Sequence, residues 1–304
     1  VYANTLFYAA FSSFHLGYVR LAQDHALVRN NCAVLRHDLE TLRLDAPTDA
    51  EAQARAQRTE AQLNTYLQVY LAQDAHLADE TYLDDVARLM ALYARWVLSL
   101  LGPDSTDSTD REDKEDAALP PAVAVMPAVL LEDLATFFQT ATEGGYCFLP
   151  EALDPVLELV VRLLASRCHL KAAFLRPKLV EGLEALMSHG NSSSSSMNGS
   201  QRPDVQTMLE TNAVCRARLV PALLQMHADV DQAKGDKVAF RYAILRVGLR
   251  VLRVPAFAAS LDAYAAAAAN AAAVQRFVLD LTHDVSAALT DAIDCLERVH
   301  GGDA

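Results

Sequence analysis

The sequence predicts an all-α fold, and three observations carry the prediction. Apolar residues recur at helical spacing. Leu153, Val156, Leu157, Val160 and Leu164 are separated by 3, 1, 3 and 4 positions, and Phe277, Leu281, Val285, Leu289, Ile293 and Leu296 by 4, 4, 4, 4 and 3. Each set falls on one helix face. No run of strand length alternates apolar and polar residues. Only 11 glycines and 11 prolines punctuate 304 residues, fewer breakers than an all-β chain needs. Hydrophobic residues make up 52 % of the chain, enough for a large core and too many for a disordered chain. Many helices joined by short connections leave two arrangements open, a stacked α-solenoid and a globular bundle.

The predicted helices are, in order, 2–28, 30–44, 50–73, 79–101, 128–142, 151–166, 172–187, 204–211, 213–232, 237–253, 256–270, 271–282 and 284–300. The first opens with the apolar stretch Val1 to Leu21. Ser12, Ser13, His15 and Arg20 interrupt it, and it lacks a basic leader, so it reads as a helix of a piece of a longer protein and not as a signal peptide. Gly144 and Gly145 follow the fifth helix as a C-cap. Ala263 to Ala273 is a strong helix former whose small side chains suit close packing. Two segments break the pattern. Residues 102–127 run through seven acids and two bases between Asp104 and Asp116, then Pro120, Pro121 and Pro127, and read as an acidic, Pro-rich loop. Residues 188–203 contain five consecutive serines, Ser192 to Ser196, and read as a Ser-rich loop. The loops divide the chain into helical blocks 1–101, 128–187 and 204–304.

Charge and motif content narrow the function classes. Lys and Arg total 26 and Asp and Glu 39, a net charge of −13. That is a poor match for nucleic acid, whose phosphates need clustered bases, and for anionic lipid. No apolar run reaches the roughly 18 residues of a membrane span. There is no glycine-rich phosphate loop and no H-E-x-x-H. The nine histidines are scattered, and the five cysteines, Cys32, Cys147, Cys168, Cys215 and Cys295, contain no C-x-x-C. Cys168 and His169 are adjacent, but neighbours on a helix point about 100° apart and make a poor nucleophile–base pair. No catalytic, cofactor-binding or metal-ligating residue is assigned. The chain reads as a scaffold or interaction array.

Five collinear stretches carry a family resemblance. The most specific is Leu219-Val220-Pro221-Ala222-Leu223-Leu224, continuing through Asp229-Val230-Asp231 to Phe240-Arg241-Tyr242. The others are Phe174 to Glu181; Phe277-Val278 with His283-Asp284 and Leu289 to Ile293; Phe11 to Gly17 with His15-Leu16-Gly17; and Val129 to Leu134. Together they resemble the core of the U-box ubiquitin-chain elongation factors, ubiquitin ligases that extend chains on already modified substrates. Asp231 stands where the family has a glutamate, and Ala243 where it has a histidine.

The resemblance implies an armadillo-like helical-repeat solenoid. It implies a scaffold that positions partners and ubiquitylated substrate for chain extension in proteasomal degradation. The implied partners are a ubiquitin-conjugating enzyme, which binds through the U-box, an AAA segregase and shuttle factors, in the cytoplasm or nucleus. The chain reads as the later half of the core without the U-box, so by itself it is expected to be inactive. The alternative is an unrelated α-solenoid adaptor or trafficking scaffold. Arg241 is expected to be structural, pairing with Asp229 or Asp231 at the end of the preceding helix, and the bland alternative is a solvated arginine.

Overall fold

The structure, a computed structural model, describes residues 2–45, 50–102, 127–166, 175–189, 204–230 and 237–301. Among these residues there are helices and no strands. The helices are α1 (Tyr2–Phe14), α2 (Arg20–Asp45), α3 (Ala50–Leu77), α4 (Glu80–Leu101), α5 (Ala128–Glu143), α6 (Pro150–Ala165), α7 (Leu175–His189), α8 (Val205–Thr211), α9 (Ala213–Asp229), α10 (Lys237–Val251), α11 (Pro255–Ala266) and α12 (Ala271–Gly301). Most of the acidic loop 102–127, most of the Ser-rich loop 188–203, and the Cys168–His169 pair lie outside the described residues.

Packing proceeds stepwise in two rows. In the first row the turn after α1 meets α5, α5 packs on α7, and α7 on α10. In the second, α4 packs on α6, α6 on α9, and α9 on α11 and α12. This alternation along the chain is an all-α helical solenoid, and it resolves the choice between a stack and a bundle. One continuous apolar core runs between the rows from Phe11 to Phe257. At one end it is aromatic: Phe11 lies edge-on to Tyr93 at 5.2 Å, and Phe14 edge-on to Phe137 at 5.8 Å. In the middle it is aliphatic, and α6 buries Leu153, Val156, Leu157, Val160 and Leu164, the set its spacing predicts. Each such side chain contributes about 1.5–3 kcal/mol by leaving water.

α2 and α3 form a helical hairpin whose far part has its own small core of Val28, Cys32, Leu39, Ala56 and Leu63. We call it the arm. Its root meets the stack at α4 and α5. There His25 stacks on Tyr70 at 4.6 Å and lies 3.4 Å from Asp74, and Arg29 lies 3.8 Å from Glu143.

Three predicted boundaries need correction. The break at 29 does not occur: the helix runs through the polar Arg29, Asn30 and Asn31 because α3 packs along it and buries Val28 and Cys32. The irregularity falls earlier, as a π-helical turn at His15–Val19. Such a turn inserts a residue into the ladder; here it accompanies burial of Tyr18 and Val19. The break at 283 is also absent, and α12 is one helix, with Asp284 held from the side by Arg241. The alanine run does break, at Ala267 and not at 270, where the backbone turns extended and Asn270 donates to the Tyr264 carbonyl at 3.1 Å. The predicted C-cap of α5 is observed. Gly145 has φ +82°, its N–H reaches the Thr142 carbonyl, and the Tyr146 N–H reaches the Ala141 carbonyl, both at 2.9 Å. This double bond is the Schellman arrangement, and only glycine adopts its left-handed residue without cost.

Candidate functional site

Polar side chains along the first row are spent on joining one helix to the next. His15, in the π turn, places Nδ1 2.9 Å from both carboxylate oxygens of Asp133 on α5. Asp133 is only 2 % exposed, and burial pushes its carboxyl above the usual range, against the lowering pull of His15 and Lys178. One residue earlier, Glu132 accepts from Lys178 of α7 at 2.7 Å. Further along α7, Glu184 lies 2.7 Å from Arg246 of α10, and Ser188 accepts from Arg250 at 2.6 Å. Glu181 sits between these joints, and burial raises its carboxyl too. Each step of the row therefore has at least one polar clamp over its apolar contact.

A second joint ties α9, α10 and α12. Arg241 donates from Nη1 to Asp284 Oδ1 at 2.6 Å. The other carboxylate oxygen lies 3.9 Å from His227 Nε2. His227 is fully buried on α9, and its ring meets Phe277 edge-on at 4.9 Å. The expectation that Arg241 is structural fits this geometry, and the structure gives it a partner the sequence did not suggest. That carboxylate is Asp284, 43 positions away, and Asp229 lies 3.9 Å from Arg176 of α7. Asp231 lies outside the described residues. The physical reason is that α12 crosses α9 and brings Asp284 beneath the start of α10. Only the tertiary arrangement shows that.

These joints link the stretches that carried the resemblance. His15 and Asp133 come from two of them, Lys178 and Glu132 from two, and Arg241 and Asp284 from two. These six charged motif residues join neighbouring helices, while Leu219, Val220, Ala222, Leu223 and Leu224 are core.

No group of three His, Cys, Asp or Glu side chains able to hold a metal ion occurs among the described residues. No disulfide joins the four described cysteines. Cys215 is buried in the core, where desolvation, with Glu158 and Asp154 adding, pushes its thiol up to about 12. It is thus a packed thiol at neutral pH and no nucleophile. A cleft of about 280 Å³ opens at the arm root, lined by His25, Arg29, Asp74, Glu80, Glu143 and Tyr146. Within it His25 lies 3.4 Å from Asp74 and Arg29 3.8 Å from Glu143. No described helix is long and apolar enough to cross a membrane.

Sequence reading passed over one surface. From Lys237 to Arg253 every charged residue is basic, in a chain of net charge −13. α10 also exposes Tyr242 and Leu249, and Leu252 follows in the turn after it. The signal was the spacing of these residues together with the one-sided charge.

Among known proteins, no curated sequence and no solved structure matches this chain. A family model described as ubiquitin elongating factor core matches residues 3–302, nearly the whole chain and both rows of the stack. The chain therefore belongs to the ubiquitin elongating factor core family.

Proposed function

We propose that the chain is the scaffold part of a U-box ubiquitin ligase. It holds ubiquitylated substrate and partner proteins while chains are extended for proteasomal degradation. One observation carries this reading: a family match over residues 3–302 falls on a helical stack in which six charged motif residues join neighbouring helices. Family membership also selects the ubiquitin reading over an unrelated trafficking adaptor. On this proposal the stack is of the armadillo-like kind. Transfer from a ubiquitin-conjugating enzyme is promoted by a U-box in the assembled ligase, with no covalent intermediate on this chain. An AAA segregase and shuttle factors are the proposed further partners, in the cytoplasm or nucleus.

The test is a reconstituted ubiquitylation reaction with activating enzyme, conjugating enzyme and a substrate that already bears ubiquitin. The 304-residue chain alone leaves chain length unchanged, and it extends chains when joined to a U-box. Extension by the chain alone, lost on replacing its cysteines with alanine, overturns the scaffold reading in favour of thioester chemistry on this chain.

A further inference from the structure

We infer, resting on the ligase role proposed above, that residues 1–113, with the whole arm, are a lysine-free holding surface. Activated ubiquitin beside it passes to the client and not to the scaffold.

The chain has 5 lysines and 21 arginines. The lysines are Lys114, Lys171, Lys178, Lys234 and Lys237, so residues 1–113 hold nine arginines and no lysine. Local structure gives no reason for this choice. The side chains of Arg20, Arg29, Arg43 and Arg88 are 70 %, 56 %, 57 % and 66 % exposed. They lie 4.0, 3.8, 3.2 and 3.4 Å from carboxylate oxygens. Exposed pairs of this kind contribute little whichever base supplies them. Arginine and lysine also have nearly equal helix propensity. Further along, the chain does use lysine in such a pair, Lys178 with Glu132 at 2.7 Å.

The difference that remains is chemical. A lysine ammonium loses its proton near a pKa of about 10.4 and becomes a nucleophile, whereas a guanidinium stays protonated and delocalised. In ubiquitin transfer the neutral amine attacks the thioester carbonyl. The C–N isopeptide bond forms, the C–S bond breaks, the conjugating enzyme's thiolate leaves, and the nitrogen gives its proton to solvent. A lysine on the scaffold is tethered to this reaction at an effective concentration on the order of millimolar, while a client arrives by diffusion. Exposed lysines on the holder are therefore its nearest competing acceptors. Arginine supplies the surface charge without the amine.

The same rule sorts the lysines among the described residues. Lys178 is bonded to Glu132 and must give up that contact before it can attack. Lys237 is exposed at the start of α10. Self-modification of the described helices falls on Lys237.

A uniform coding preference for arginine gives the same ratio with no such role, and the experiment separates the two. It uses the 304-residue chain joined to a U-box, with activating enzyme, conjugating enzyme, ubiquitin and a client that already bears ubiquitin. Mass spectrometry reads the modified sites, and gels read chain length on the client. One variant carries Arg36→Lys, Arg43→Lys, Arg58→Lys and Arg88→Lys, which leave the charge unchanged. An unchanged circular dichroism melt shows its fold intact. The added lysines should carry ubiquitin at about tenfold or more the level of Lys178, and client extension should slow by about twofold or more as ubiquitin is diverted. In the unsubstituted chain, Lys237→Arg should remove modification of the described helices and leave client extension no slower. Added lysines that stay unmodified while client chains extend overturn the proposal and leave the bias to coding alone. Modification of Lys178 as heavy as that of Lys237 also overturns it. An unsubstituted assembly that extends no client chain overturns the ligase reading, and the inference with it.

Discussion

Asp133 is a carboxylate where the protein has almost no room for one. It is 2 % exposed, and its ionised form is held chiefly by His15, which is itself about half in water. Its folded pKa is raised, so ionisation costs stability. That cost is fully present above the folded pKa and is relieved as pH falls through it toward the unfolded value. His15→Ala removes the compensating group and should destabilise by about 1–3 kcal/mol at neutral pH, less at acid pH, in denaturant melts. Adding Asp133→Asn should recover much of the loss and flatten the pH dependence. At the other joint, Arg241→Ala and Asp284→Ala should each cost about 1–3 kcal/mol, with a double mutant costing less than the sum. An additive pair would mean that the 2.6 Å contact does no energetic work. The thiols divide cleanly: in the native protein Cys295 and Cys147 should react with a disulfide reagent while Cys215 and Cys32 stay silent until unfolding. The sequence gives no hint of these differences, because exposure of a lone cysteine is a tertiary property.

Helices were legible because their signal is local. The inner face of α6 could be read from spacing alone, and it is the face the structure buries. What was not legible was continuity. Arg29, Asn30 and Asn31 look like a stop, yet a partner helix alongside outweighs weak propensity. The π turn at His15–Val19 leaves no periodic mark in five residues. The pairing of Arg241 with Asp284 depends on how α12 crosses α9, which no local pattern encodes. Two glycines test the element scale. Gly145→Ala forces a side chain into a left-handed residue and should cost about 1 kcal/mol. At Gly182 on α7 the added carbon would sit 3.4 Å from the Ala135 carbonyl oxygen of α5. Alanine there is near its limit, and Gly182→Val should cost about 1–3 kcal/mol by forcing the two helices apart.

Across the whole molecule, stability should be uneven in a specific order. One core spans both rows, so the stack should resist hydrogen exchange as a unit, most strongly in α6 and α9. The arm depends on a separate core of five buried residues. Its far amides, from about Asp38 to Glu60, should exchange sooner than those of the stack, and equal protection would show that the arm is no independent unit. The proposed division into three helical blocks predicts that limited proteolysis first cuts within 102–127 and 188–203, whose compositions are dominated by acids and prolines in the first and by serines in the second. Early cuts inside α9 or α12 would refute that division.

The unbroken passage from α1 through the π turn into α2 has a mechanical consequence. Beyond the Arg29–Glu143 contact that ties it to the stack, α2 runs on to Asp45 for about 24 Å at 1.5 Å per residue, so this part acts as a lever with its fulcrum at the arm root. A tilt of about 10° there would swing the far end by about 4 Å at this length. Loosening of that one exposed contact is thereby turned into a displacement approaching the pitch of a helix turn, at a place far from the stack.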